Sequence, residues 1–343
     1  MPREANMGIQ ELQVSPTLNR HSLIEVTELT KKFDDVTAVE KICFAVYQGE
    51  LFGFLGPNGA GKTTTINMLT GLARPHSGTI KIGGLECTRN PKAGQHLIGV
   101  VPDESNLYPE LSGFDNLCFC ASLYGMHKNE RQTRARELLE AFGLREAADR
   151  KFVGYSKGMK RKLTIAAGII HHPQILFLDE PTTGVDVASA RQIRQLIAEL
   201  HCAGTTIFLT THYIEEAERL CERIAFIVKG MIVRIDTVEN LLQPIQEIKA
   251  MLISISNHTD DLCGKLAAAF PHFEFQAVAA GRVRVESAEA ISVGPLVRFI
   301  ENQGAEVTEA RRLRPSLEEV FVRVTGIELD AMVKEKEKAG GSL

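Results

Sequence analysis

Residues 56–63 read GPNGAGKT, with glycines, a lysine and a threonine in the order G-x-x-x-x-G-K-T. That spacing suits a phosphate. Gly56, Gly59 and Gly61 let the backbone bend until successive N–H groups converge on one point, and Pro57, Asn58 and Ala60 complete the loop. A helix starting near Lys62 adds the positive end of its dipole. Lys62 reaches the β- and γ-phosphates of a nucleotide, and the Thr63 hydroxyl is placed to ligate Mg²⁺, with Thr64 beside it. An incidental glycine-rich turn satisfies the same pattern. Here the apolar run ELFGFL precedes it and a helical stretch follows, which is the strand–loop–helix context the chemistry requires.

Two further stretches carry chemistry. ILFLDE (175–180) is an apolar strand ending in two carboxylates. Asp179 at the strand end suits a Mg²⁺ shell. Glu180, one residue on, points the other way and is placed to take a proton from an attacking water, a role worth about 10²–10⁴ in rate. A solvated strand-to-loop corner is the plain alternative, and the upstream phosphate loop argues against it. GYSKGMKRK (154–162) carries four positive charges and two glycines and runs into the apolar LTIAAGII. It reads as a helix start that faces an anion.

The elements that must position these residues follow from periodicity. Strand signals fill 24–55, SGTIKIGG reads as a hairpin or edge strand, and LIGVV (97–101) as a buried strand stopped by Pro102. Helical signals dominate 112–170, where Ser112 with Asp115 resembles a capping box and Gly143 a helix stop. Strands QILFLD, TTIFLTT and IAFIV then alternate with helices at 188–204 and 214–221, which predicts a parallel sheet covered by helices. QPIQE at 243–247 reads as a linker. Beyond it, strand, helix, two strands, helix and strand are compatible with a small split-βαβ unit, and a last helix starts at Ser316.

Composition bounds the partners. The chain has 343 residues, 44% hydrophobic and 24% charged, with a formal net charge of −4. No global basic surface favours nucleic acid as a partner. The seven cysteines are scattered without a C-x-x-C pair, which favours a reduced compartment over a disulfide frame or zinc site. No apolar run reaches the roughly 20 residues of a membrane span, and the N-terminus lacks the apolar core of a secretory signal.

GPNGAGKTT, GYSKGMKRKL, ILFLDEPTTGVD and LTTHYIEEAE, in this order, resemble the ATP-binding subunit of an ABC transporter over roughly residues 23–242. RPSLEEVFVRVTG (314–326) further resembles the C-terminal end of the ABC-2-type export branch that includes daunorubicin-resistance ATPases. The resemblance implies an α/β fold: a P-loop NTPase domain at 23–242 with a mainly parallel sheet, an antiparallel β subdomain and an α-helical subdomain at about 103–170. A small α+β domain at 243–327 follows, with a flexible arm at 1–22 and a charged tail at 328–343. It implies ATP and Mg²⁺ as cofactors, an adenine-stacking role for Phe33, and Glu180 as the catalytic glutamate. His212 becomes the switch histidine at the γ-phosphate and Asp186 the D-loop residue between subunits. The metal set becomes Thr63, Asp103 and Asp179.

The same resemblance implies partners. A second ATPase subunit would bind head to tail, most simply as a homodimer. Ser156, Lys157, Gly158 and Met159, the signature, would serve the other subunit's γ-phosphate, with Lys160, Arg161 and Lys162 as a solvated or subunit-facing rim. An ABC-2-type permease would hold the protein at the inner face of the cell membrane, on the cytoplasmic side. Two positions depart from the family pattern. Asp103 stands where Gln is usual, and either retains a metal role or is a solvated loop acid. The signature reads Tyr155-Ser156-Lys157-Gly158-Met159 where Leu-Ser-Gly-Gly-Gln is usual. Three rival readings remain: a soluble ABC ATPase of translation or repair, a GTPase or kinase, and an ATP-gated regulator without turnover. The single phosphate loop and short insertion oppose the first. The missing N-K-x-D motif opposes the second, and the presence of both Glu180 and His212 opposes the third.

Overall fold

The computed structural model describes residues 21–246, 249–256, 261–279, 281–313 and 316–327. The expected tail (328–343) and all but the last two residues of the expected arm lie outside them. Those two are not an arm, because β1 already begins at Ser22. The chain runs β1 (Ser22–Phe33), β2 (Val36–Tyr47), β3 (Leu51–Leu55), α1 (Lys62–Leu69), β4 (Ser77–Ile82), β5 (Leu85–Glu86) and β6 (Ile98–Val101). Three helices follow: α2 (Gly113–Leu123), α3 (Lys128–Ala141) and α4 (Lys157–Gly168). Then come β7 (Ile175–Asp179), α5 (Val187–Cys202), β8 (Thr206–Thr211), α6 (Ile214–Leu220), β9 (Arg223–Val228), β10 (Met231–Thr237) and α7 (Val238–Gln246). The C-terminal part is β11 (Lys249–Ser256), α8 (Leu262–Ala269), β12 (Glu274–Ala279), β13 (Arg282–Ser287), α9 (Val293–Asn302), β14 (Glu306–Leu313) and α10 (Leu317–Thr325).

The central sheet has the order β10-β9-β3-β8-β7-β6. Its members run parallel except β10, which returns antiparallel on β9. Residues of β3, β7 and β8 are buried throughout, as strands covered on both faces must be. Alternation along the strands splits the core in two. Leu51, Leu55, Leu176, Leu178, Ile207 and Leu209 face the helices α2–α6. Phe52, Phe54, Phe177 and Phe208 face α1 and the antiparallel sheet β2-β1-β4-β5. Phe208 is the hub of that second layer, with ring centroids 5.4 Å from Phe54 and 5.5 Å from Phe177. Ser112 caps α2: its Oγ accepts the Asp115 N–H at 3.0 Å, and its hydroxyl donates to the Asp115 carboxylate at 2.6 Å.

Two boundary expectations are corrected. QPIQ is not a linker but the end of α7, with Pro244 inside the helix. Val238, Leu241, Leu242 and Ile245 recur at helical spacing, and Leu241 and Ile245 are buried in the main core, which outweighs the proline. The small C-terminal sheet has the order β12-β13-β11-β14, antiparallel throughout. Helices α8 and α9 cover one of its faces through Leu262, Leu266, Leu296 and Ile300. The last helix does not belong to that layer. Leu317, Val320 and Phe321 of α10 are buried in the ATPase core, where Phe321 meets Phe226 edge-on at 5.3 Å. Ion pairs of Glu319 with Arg284, and of Arg323 with Glu286 at 3.3 Å, tie α10 back to β13. Phe321→Ala is therefore expected to destabilise the ATPase domain itself, by about 3–5 kcal/mol. Urea unfolding followed through the nucleotide site checks this.

Candidate active site

The phosphate loop joins β3 to α1, and its glycines are demanded by contact. A Cβ at Gly56 would lie 2.1 Å from the Ile227 carbonyl oxygen, and one at Gly61 2.5 Å from that of Ala38. Gly61 also holds φ +104°, a left-handed conformation that side chains resist. The side chain of Lys62 is buried and curls back. Its Nζ donates to the carbonyls of Gly56 at 2.9 Å and Pro57 at 3.1 Å. The same Nζ lies 3.4 Å from Glu180 Oε1. An open cleft here is lined by Ala38, Asn58, Gly59, Gly61, Lys62, Thr63, Thr64, Asp103 and Glu180. Ala60 supports the loop from below, its carbonyl accepting the Gly230 N–H at 3.0 Å.

The two carboxylates sit differently. Asp179 ends β7 and is buried, accepting a hydrogen bond from the Thr210 hydroxyl of β8. Glu180 follows with φ +45°, so the chain turns sharply and carries its side chain towards Lys62. Its N–H bonds the Thr210 carbonyl at 3.1 Å. Its Oε2 accepts from the Thr183 hydroxyl at 2.9 Å and lies 2.9 Å from His212 Nδ1.

Burial alone would raise the Glu180 carboxyl. The neighbouring His212, Lys62 and Thr183 outweigh it and hold the group down to about 2. A carboxyl lowered on folding adds stability above its unfolded value, and that stability is lost as pH falls through the folded one. The stability advantage of the wild type over Glu180→Gln is thus expected to be constant near neutrality. It should shrink from about pH 4.5 down to about pH 2, which parallel denaturant titrations at stepped pH measure.

The remaining predicted residues are placed as follows. Phe33 ends β1 with its ring 51% exposed, and Lys31 Nζ stands 4.9 Å from the ring centroid. Asp103 is exposed just past β6. Ser156 is the N-cap of α4, its Oγ accepting the Met159 N–H at 3.2 Å, and Lys157 is exposed beside it. Gly158 is buried, and a Cβ there would meet Ser189 Oγ at 2.3 Å, so close packing of α4 on α5 requires it. The sulfur of Met159 accepts from Arg150 at 3.4 Å. Asp186 caps α5 through Oδ1 and the Ser189 N–H at 2.9 Å, and those bonds to Ser189 lower its carboxyl.

One expectation fails. Arg161 is not part of a rim: it is buried, and its guanidinium donates to the carbonyls of Pro102, Asp103, Asp179, Glu180 and Pro181. The stripe Gly158, Arg161, Ile165, Gly168 is buried at helical spacing, and that periodicity was the available signal. Glu216 was also missed. It is buried between the hydroxyls of Thr182 at 3.0 Å and Thr211 at 3.1 Å, which braces the loop after Glu180.

Thr63 and Asp103 line the cleft and Asp179 ends the neighbouring strand β7, and all three offer oxygens of the hard kind that Mg²⁺ takes.

Comparison with known proteins agrees with this geometry. Residues 39–183 match the family model described as ABC transporter. The chain is 41% identical over 219 residues to the linearmycin resistance ATP-binding protein LnrL of Bacillus subtilis (strain 168), covering 64% of this chain and 70% of that protein. It is 33% identical over 305 residues to the daunorubicin resistance ATP-binding protein DrrA2 of Streptomyces coeruleorubidus, covering 88% of this chain and 95% of that one. A solved ATP-binding subunit of an ABC transporter superposes with TM-score 0.60 at 29% identity, over 65% of this chain and 93% of its own. A dimeric, post-hydrolysis ATP-binding cassette holding ADP and Pi superposes with TM-score 0.58 at 27% identity, over 63% and 98%. Among the described residues no helix is long and apolar enough to cross a membrane. The chain therefore belongs to the ABC transporter family, as an ATP-binding, ATP-hydrolysing subunit homologous to its export-type members.

Proposed function

We propose that this subunit drives export through a separate ABC-2-type permease, working as a head-to-tail ATPase dimer that closes on two ATP molecules. The observation that carries the proposal is a one-sided cleft. Phosphate loop, Asp103 and Glu180 line it, while the exposed Ser156 and Lys157 are not among its lining residues. A second copy turned head to tail would bring its α4 N-terminus, with a hydroxyl, a cation and a positive helix end, onto the γ-phosphate. The relatives named for linearmycin and daunorubicin resistance, and the dimeric solved cassette, support the export and dimer parts of this reading.

In this account the phosphate-loop N–H groups and Lys62 hold the β- and γ-phosphates, and Phe33 stacks on adenine. Asp179, Thr63 and Asp103 would hold Mg²⁺, which when bound would neutralise charge on the phosphate oxygens. Glu180, ionised at working pH, accepts a proton from the water aligned on the γ-phosphorus. His212 steadies that carboxylate and meets the γ-phosphate. Asp186 fixes the start of α5 where the two subunits would meet. Closure excludes water and completes the site, and release of Pi reopens it. Asp103→Ala is expected to raise the Mg²⁺ concentration needed for half-maximal turnover, while binding of metal-free ATP stays unchanged. A magnesium titration of the phosphate-release rate checks it, and an unmoved curve would leave Asp103 a solvated loop acid.

The function is tested by affinity capture of the full chain from detergent-solubilised membranes of its own cell. A multi-span permease is expected in near-equal amount, with turnover that rises on reconstitution. Recovery of the chain alone, fully active in the soluble fraction, would favour a soluble ABC ATPase.

A further inference from the structure

Arg161 lies five residues after the α4 cap and is 6% exposed. A guanidinium carries five N–H bonds in a fixed planar fork, and here each meets a backbone carbonyl. Nε donates to Pro181 at 2.8 Å. One terminal nitrogen donates to Pro102 and, at 3.0 Å, to Asp103. The other donates to Asp179 at 2.6 Å and Glu180 at 2.7 Å. Three segments meet at this one side chain: α4, the stretch after β6, and the corner where β7 ends.

We propose that Arg161 is a positioning residue for ATP hydrolysis, locking the signature helix, the Asp103 segment and the Glu180 corner into one body. The inference rests on the roles proposed above for Glu180 and Ser156. Its consequence is a mechanical link between half-sites. A displacement of the end of α4 that serves the partner's ATP would be passed through these bonds to this chain's own Glu180 corner and Asp103 segment. The corner needs such a clamp, because Glu180 is held at φ +45°, where a non-glycine residue persists only if its surroundings over-determine it. The clamp takes hold of the carbonyls of Asp179, Glu180 and Pro181, on both sides of that strained residue.

The arrangement also explains why the cation is arginine. Burial pushes its pKa down, and the carboxylates of Asp103, Asp179, Glu180 and Glu216 pull it back up. Lysine would keep the charge but offers three donors from a single nitrogen, too few for the five carbonyls that the guanidinium meets. Stranded carbonyls would then be buried without partners, and the corner would relax.

The test compares wild type, Arg161→Lys and Glu180→Gln as full chains. Arg161→Lys is expected to lower kcat for ATP by roughly 100-fold, the scale of a 1 Å misplacement. Its KM should move less than about threefold, because the phosphate loop is untouched. A lysine variant with wild-type kcat per correctly folded molecule overturns the proposal. Should the variant fail to fold, amide exchange on the wild type decides instead. Residues 101–104, 157–163 and 178–182 are expected to open at one common rate, and to slow together on adding ATP and Mg²⁺. Independent opening of residues 101–104 would overturn the link. If Glu180→Gln keeps wild-type turnover, the reading beneath the proposal fails; if only Arg161→Lys does, the clamp alone fails.

Discussion

Glu180→Gln is expected to bind ATP as wild type does while turnover falls by about 10²–10⁴, the range of a lost general base. The amide keeps the shape and can still accept from Thr183, so the corner is preserved. What it loses is the anion. In the wild type that anion is stabilised against burial by His212 at 2.9 Å and Lys62 at 3.4 Å. A carboxyl held at about 2 is a weak base in the resting state. Part of the lowering comes from Lys62, which would turn to the phosphates when ATP binds, and the carboxylate would then regain basicity. The expected signature is a drop in kcat with KM for ATP not raised. Single-turnover measurements of Pi formation separate this from slow product release.

Lys62→Ala is expected to weaken ATP binding by about 10- to 100-fold, the worth of one charge-assisted hydrogen bond of 1.5–3 kcal/mol. The structure adds a second cost. Lys62 Nζ satisfies the carbonyls of Gly56 and Pro57 and faces Glu180, so its removal leaves buried acceptors and a buried carboxylate without their cation. The Glu180 pKa should rise accordingly, since Lys62 is one of the groups holding it down. Lys62→Arg is not expected to rescue binding: the slot is filled by a single nitrogen, and a planar guanidinium does not fit its three contacts. Calorimetric titration with ATP, with and without Mg²⁺, measures the loss directly.

What could be read from the sequence divides by how local the physics is. The phosphate loop was legible because its chemistry is written in eight consecutive residues, and the Cβ contacts of Gly56 and Gly61 show why no other residue fits there. The strand ending in Asp179 and Glu180 was legible as an apolar run meeting two acids. The sharp corner at Glu180 was not, because its conformation is set by Thr210 on a neighbouring strand and by Arg161 from a helix. A charge run containing Arg161 reads as a solvated face until its helical phase with Gly158 and Ile165 is counted. The return of α10 to the ATPase core was hidden for a related reason. Its apolar stripe declares a buried face but not which layer buries it, and Phe226 lies nearly a hundred residues earlier. Pro244 misled in the opposite direction, a breaker overruled by the apolar spacing around it.

The head-to-tail dimer is the central claim, and the mass of Glu180→Gln in solution tests it most directly. Light scattering on the purified chain should give the monomer mass of about 37.8 kDa without nucleotide and twice that with ATP and Mg²⁺. Adding Ser156→Glu, which sets a carboxylate against the partner's γ-phosphate, should return the monomer mass while each chain still binds ATP. A variant saturated with ATP that keeps the monomer mass, or a dimer indifferent to Ser156→Glu, would contradict the account.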